Sequence, residues 1–400
     1  AGDRNAAIRS YEGAVWLGHR SSPRVEAAAL IGLSAVLGPI GDYTRATRVL
    51  LQALALAESA NEREMIASAA NNLGIVYRRL GEFDLALVQF ERAFSLHEED
   101  GRVEAAARTL NNIGLVYQQQ SNSRAALDYY ERSLALKEKF APAAEVITTL
   151  ANIGEIYSIQ NNGPLAIAYS NRALAMAERS GNIPLLSSAL NNAGFARLNF
   201  GRLDEAEAAF LRCLPLAEKS ETQSLVAMVL SNLGIVALER KQWDLARERL
   251  GRARQIQSGI GDRIGEGETL VQLGELDLGQ GRPVDAAEKL AKAHELLAST
   301  GTPVSLSRVL YLEGQLQAQN GRTAAAIASF EAAIRLSERA RDLVAGGTED
   351  RLRFFESRVD PYYGLTDVYA SSGRADEAFA TMERARARGL LDVLAAGKPG

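Results

Sequence analysis

Apolar residues return along this chain in paired runs at helical spacing. In residues 67–80, Leu73, Val76, Tyr77 and Leu80 fall on one face of a helix. Gly81 is a stop signal. In residues 82–100, Phe83, Ala86, Leu87, Phe90, Ala93 and Phe94 fall on one face of a second helix. A polar stretch then leads into the next pair, so the unit is helix, tight turn, helix. The pattern repeats strictly: Gly74, Gly114, Gly154, Gly194, Gly234, Gly274 and Gly314 stand 40 residues apart. Twelve residues after each comes Ala86, Ala126, Ala166, Ala206, Ala246, Ala286 or Ala326. A fixed internal period predicts an array of stacked helix pairs in which each unit buries its apolar face on its neighbours. Small residues recur where two helices must approach closely, and overpacking such a place typically costs about 1–3 kcal/mol.

The residues Leu73, Gly74, Tyr77, Gly81, Ala86, Phe90 and Ala93 resemble the tetratricopeptide repeat (TPR). The match returns as Ile113, Gly114, Tyr117, Ala126 and Tyr130, and again as Ile153, Gly154, Tyr157, Ala166 and Ala173. The period of 40 in place of the usual 34 is similar to that of kinesin light chain and several bacterial regulators. The resemblance implies an all-α fold, an α-solenoid in which antiparallel helix pairs form a right-handed TPR superhelix. It also implies that first helices line a concave wall that takes protein or extended peptide.

Toward the C-terminal half the copies drift. The place of Tyr77 is taken by Arg197, Ala237, Asp277 and Gln317. Residues 259–281 are glycine-dense for a helix and read either as the softest joint of the solenoid or as ordinary drift. Each interior glycine weakens a helix by roughly 0.5–1 kcal/mol against alanine.

Three segments follow from the period. Residues 1–26 read as the second helix of a truncated repeat plus a linker, with Ala7, Tyr11 and Ala14 in the places of Ala86, Phe90 and Ala93. Residues 27–340 read as eight repeats, and residues 341–400 as an extended, irregular final pair. Both ends look cut, so a signal peptide upstream stays open, and a cytoplasmic location is the default expectation. Around the final pair, Arg353, Phe354, Tyr362 or Tyr363, the Glu377-Ala378-Phe379 run, Glu383 to Arg388 and Leu390-Leu391-Asp392 resemble the junction of CHAT-domain proteins. Gly389 and Thr381-Met382 depart from that pattern. The resemblance implies a caspase-like peptidase domain just past Gly400, with the C-terminal helices in contact with it.

Composition narrows the partners. A net charge of −4 gives no general attraction for nucleic acid, and no apolar run is long enough to span a membrane. The lone cysteine, Cys213, occupies the close-packing place of Ala93 and reads as a small buried hydrophobe. His19, His97 and His294 have no ligand companion at i+3 or i+4. The His97-Glu98-Glu99-Asp100 cluster between repeats reads as a solvated helix end, with metal binding a remote alternative. No catalytic group, metal site or cofactor is expected.

On the first helix of each unit, two residues before the glycine, stand Asn72, Asn112, Asn152, Asn192 and Asn232, continued by Gln272. Asn71, Asn111 and Asn191 stand beside them. Packed helices lie about 8–10 Å apart and an extended peptide advances about 3.3 Å per residue, so roughly three peptide residues pass each repeat. One carboxamide per unit therefore makes a coherent rail for a peptide backbone; equally, these amides can tie adjacent helices together. Arg78, Arg79 and Arg108 make the early wall basic, Phe195, Leu198, Ile235 and Leu238 make its middle apolar, and Glu239, Glu268 and Glu275 make its later part acidic. The leading expectation is a regulatory binding module for protein or peptide that controls a downstream CHAT peptidase. A stand-alone adaptor and the sensor arm of a bacterial P-loop ATPase are the alternatives.

Overall fold

The computed structural model describes residues 2–38, 41–120, 122–298, 303–342, 355 and 358–396. Among these residues lie nineteen helices and no strand, and the chain divides into two units, Ala1–Thr149 and Leu150–Gly400. The first unit opens with α1 (Gly2–Ser21) and continues with the pairs α2 (Pro23–Leu37) and α3 (Tyr43–Ser59), α4 (Arg63–Leu80) and α5 (Phe83–Glu99), and α6 (Val103–Gln119) and α7 (Ser123–Phe140). It ends within α8 (Ala143–Ile159). The second unit takes α8 from Leu150, then α9 (Gly163–Ser180), α10 (Ile183–Asn199), α11 (Leu203–Lys219), α12 (Gln223–Glu239) and α13 (Trp243–Ile260). It goes on through α14 (Arg263–Gly279), α15 (Pro283–Ala298), α16 (Pro303–Gln319), α17 (Thr323–Asp342), α18 (Asp360–Ser371) and α19 (Ala375–Ala396).

The period-40 glycines are the contact points inside each pair. A Cβ added at Gly74 would sit 2.7 Å from Phe90, at Gly114 2.6 Å from Tyr130, at Gly194 2.6 Å from Phe210 and at Gly314 2.7 Å from Phe330. In the copies with Leu250 and Leu290 opposite, the added carbon would meet a leucine branch at 2.6 Å and 3.0 Å. In these six copies the glycine is thus a socket for the large side chain sixteen residues on, whereas Gly154 faces Ser170, at 3.2 Å. Ala86, Ala126, Ala166, Ala206, Ala246, Ala286 and Ala326 are all fully buried, as close packing of the pair requires. The final pair reuses the device: Gly364 of α18 also sits against Phe330, at 2.7 Å.

Turns recur at half the period. Gly81, Gly101, Gly181, Gly201, Gly261, Gly281 and Gly321 have positive φ, and Asn61, Asn161, Glu221 and Lys241 hold the same left-handed conformation without glycine. Where the cap is Asp or Asn, its side chain accepts the N–H three residues on, as Asp42, Asn122, Asn162, Asn182 and Asp262 do.

The glycine-dense stretch holds the end of α13, the turn at Gly261 and all of α14, which is unbroken; within α14, Gly267 and Gly279 serve packing. An added Cβ at Gly267 would meet Leu297 at 2.8 Å, and one at Gly279 would meet Trp243 at 3.1 Å.

Cys213 is fully buried and its thiol donates to the Ser187 carbonyl at 3.0 Å, while burial pushes its pKa up to about 11. A helix does end at this cluster, since α5 runs to Glu99, but His97 is not solvated: its imidazole is buried in the last turn. Burial, then Arg102 and Arg108, lowers its pKa against the weaker pull of Asp100 and Glu64. A lowered folded pKa means that the unfolded chain takes up the proton first as pH falls through about 6.5. Stability is therefore expected to decline below that pH, and His97→Gln, which copies Gln257 of a later repeat, is expected to flatten the decline in thermal melts between pH 7.5 and 5.

Candidate functional site

The first helices of successive pairs pack directly on one another, α2 on α4 and α4 on α6 in the first unit, and α10 on α12, α12 on α14 and α14 on α16 in the second. Each series makes a common face, the first-helix wall.

The asparagines divide into two kinds on this wall. Those three residues before the glycine, together with Asn232 two before, are inter-repeat joints. Asn71 Oδ1 accepts from Asn112 Nδ2 at 3.1 Å and from Thr109 Oγ1 at 3.4 Å. Asn111 Oδ1 accepts from Thr149 Oγ1 at 3.1 Å. In the second unit Asn191 Oδ1 accepts from Asn232 Nδ2 at 3.1 Å, and Ser231 joins Thr269 at 3.0 Å. Asn111, Asn191 and Asn232 are buried, at 7%, 4% and 6% exposure, so they are corrected from wall-facing residues to joints between helices. A buried carboxamide must be hydrogen-bonded, and these are. The threonines at 109, 149 and 269 were not singled out from sequence; a hydroxyl 38 residues after an Asn or Ser is the signal that marks them.

The amides two residues before the glycine, Asn232 apart, are less enclosed. Asn192 is exposed, Asn72, Asn112, Asn152 and Gln272 are half-buried, and neither Asn192 nor Gln272 has a side-chain partner among the described residues. Asn112 spends one N–H on Asn71, which leaves a carboxamide with spare donors and acceptors.

The basic residues of the early wall are less free than the sequence suggests. Arg108 donates to Glu145 at 3.3 Å, and Glu145 also lies 3.7 Å from the buried Lys137 ammonium. Arg78 is half-buried with its Nε unpartnered, and burial, then Arg79 beside it, lowers its pKa.

In the second unit the wall holds an open cleft of about 330 Å³ between α12, α14 and α16, with Trp243 of α13 also lining it. Leu238, Leu278 and Leu312 supply its apolar surface, and Glu239, Glu275, Arg308 and Gln315 its polar edge. Arg308 donates to Glu275 at 2.6 Å and reaches Asp360 at 3.3 Å. Burial raises the Glu275 pKa, partly offset by Arg308. Burial alone would lower the Arg308 pKa; Glu275 and then Asp360 outweigh it and hold it above the usual range. Glu239 is exposed and makes no hydrogen bond or ion pair among the described residues. An apolar trough with a few polar groups at its edge suits an amphipathic side chain of a bound segment.

Among the described residues no group of three or more His, Cys, Asp or Glu could hold a metal ion, and no helix is long and apolar enough to cross a membrane. Of the carriers of the CHAT resemblance, Arg353 and Phe354 lie outside the described residues, as do the side chains of Leu390, Leu391 and Asp392. Tyr362 is fully buried and donates to Glu338 at 2.7 Å, whereas Tyr363 and Phe379 are exposed.

Residues 24–99, 65–139, 145–219 and 225–299 match the tetratricopeptide repeat, and residues 307–339 match a second description of it. No curated protein matches the chain. Similar solved structures include a Rap protein complexed with Competence and Sporulation Factor, at 15% identity over 86% of this chain and 97% of that one, with a TM-score of 0.58. The apo form of RapI matches at 14% identity over 90% of this chain and 98% of that one, with a TM-score of 0.58. The apo quorum sensor NprR from B. thuringiensis matches at 14% identity over 88% and 98%, with a TM-score of 0.57. At such identities the likeness is one of fold. Repeated sockets, fully buried alanines and a match over most of the length place this chain in the tetratricopeptide-repeat family of protein-binding scaffolds.

Proposed function

We propose that residues 150–400 receive an extended segment of a protein partner along their first-helix wall, and that the scaffold works as a sensor or regulatory module. The cleft between α12, α14 and α16 carries this reading, because its apolar trough lies beside the unpartnered Glu239 and the Arg308–Glu275 pair. Asn192 and Gln272 lie on the same wall and would hold the segment's backbone. A Rap protein of like fold is complexed with Competence and Sporulation Factor, and NprR is a quorum sensor, which supports the regulatory direction. The resemblance of residues 353–392 to CHAT junctions supports a caspase-like peptidase as the regulated element. Its test is whether the wall's ligand changes the activity of a caspase-like peptidase joined to this chain.

Binding is tested with dodecamer peptides selected on the intact chain by phage display. Leu238→Glu places a charge in the trough, and desolvating it is expected to weaken a selected peptide by about ten-fold or more. Leu211→Glu, on the exposed surface of α11, is expected to leave binding unchanged. Equal affinity for the Leu238→Glu variant, measured by fluorescence anisotropy, would refute the assignment.

A further inference from the structure

Three residues after the glycine, the earlier repeats stack aromatic rings. Tyr117 lies on Tyr129 with ring centroids 5.4 Å apart, and Tyr157 on Tyr169 at 5.5 Å. In the repeat of α14 and α15, both places are charged: Asp277 and Lys289, with Nζ 2.6 Å from Oδ2. Arg247 of α13 brings Nη2 to 2.6 Å from Asp277 Oδ1 and to 2.8 Å from Gln280 Oε1. Arg282, in the turn between α14 and α15, puts Nε 3.6 Å from the same Oδ1.

Three cations thus share one fully buried carboxylate. Among the described residues, none of the three has another carboxylate within 4.0 Å. Elsewhere in the unit such clusters balance: Arg240 and Arg249 face Asp204 and Glu207. Burial alone would push the Asp277 carboxyl up, but Lys289 and Arg247 outweigh it and hold it below its usual range, so it stays charged. The cluster then carries two positive charges beyond neutrality. The cations are not sealed in: the side chains of Arg247, Arg282 and Lys289 are 35%, 42% and 23% exposed. One well-placed cation would close the charge of Asp277, so the other two need a different account.

We propose that Arg247, Arg282 and Lys289 form a binding site for a phosphate dianion, either free or carried on a partner's side chain. Two guanidinium groups supply planar N–H forks and the ammonium a compact charge, the combination that suits tetrahedral oxyanions. Asp277 and Gln280 hold these groups in place from below, and the dianion matches the surplus charge. The site lies at the turn of the helix pair and does not depend on the wall described above.

The test is titration of the intact chain with inorganic phosphate against chloride at constant ionic strength, read by calorimetry and by melting temperature. Saturable one-site binding is expected. Arg282→Gln, at the most exposed and most distant of the three cations, should bind at least five-fold more weakly while its melting temperature in chloride stays that of the wild type. Asp277→Ala, which copies Ala237, should leave three repelling cations, so its melting temperature should rise more with phosphate than the wild type's does. A phosphoserine peptide that binds ten-fold tighter than inorganic phosphate assigns the site to a modified partner, and equal affinities assign it to the free ion. Absence of saturable binding overturns the proposal, and so does an unchanged phosphate response in Arg282→Gln.

Discussion

Replacing Phe210 by alanine is expected to reduce the unfolding free energy by about 3–5 kcal/mol, the usual cost of emptying a fully buried aromatic site. Phe210 is fully buried in the cluster with Leu190, Ala206, Cys213, Val229, Leu233 and Val236, which joins α10, α11 and α12. The loss therefore falls on a junction between repeats as well as on one pair. Gly194→Ala is expected to destabilise as well, by about 1–3 kcal/mol, because the added carbon would lie 2.6 Å from the Phe210 ring. The informative variant is the double one. With Phe210 truncated, the new methyl at 194 enters vacated space, so the double variant should be more stable than the two single losses added together. Urea denaturation of the four proteins checks this. Strict additivity would mean that glycine and phenylalanine do not act as socket and plug.

Lys137→Met is expected to stabilise the protein by about 2–3 kcal/mol at pH 7. The Lys137 side chain is 3% exposed, donates to Thr149 at 3.0 Å and lies 3.7 Å from Glu145. Burial lowers its pKa to about 8, with Glu145 only partly opposing the shift. The unfolded chain, with an ordinary lysine near 10.4, thus binds the proton more tightly than the folded one. Stability is lost as pH falls from about 10.5 to about 8, and the penalty is fully present below that. The methionine variant removes the charge and keeps the volume. Its advantage over the wild type should be largest at neutral pH and shrink toward pH 10, in parallel chemical denaturation series. Thr149 keeps its bonds to Asn111 and to the Glu145 carbonyl in the variant.

The architecture was open to sequence reading because its main device is local. Socket and plug lie sixteen residues apart in one helix pair, and a strict period repeats them in six of its seven copies, from Gly74 with Phe90 to Gly314 with Phe330. The site was less open, because its contacts run between repeats. Asn71 and Asn72 are neighbours in sequence, yet a helix turns about 100° per residue. One of them meets Thr109 of the next first helix and the other stays on the wall. Periodicity shows that both positions recur but not which of them turns inward. The same holds for Arg108, whose charge is spent on Glu145, 37 residues away. The cleft needs residues from α12, α13, α14 and α16 at once, and the cluster at Asp277 needs Arg247 and Lys289 from two flanking helices. Drift of the tyrosine position to Asp277 was visible; that three cations gather on it was not.

The most direct measurement of the central claim is photo-crosslinking with a selected peptide. Benzophenone side chains are placed one at a time at Leu238 and Gln315 inside the cleft, and at Leu211 outside it. Crosslinks from 238 and 315 to the peptide, with none from 211, are the predicted result. Efficient crosslinking from 211 with none from the two cleft positions would contradict it.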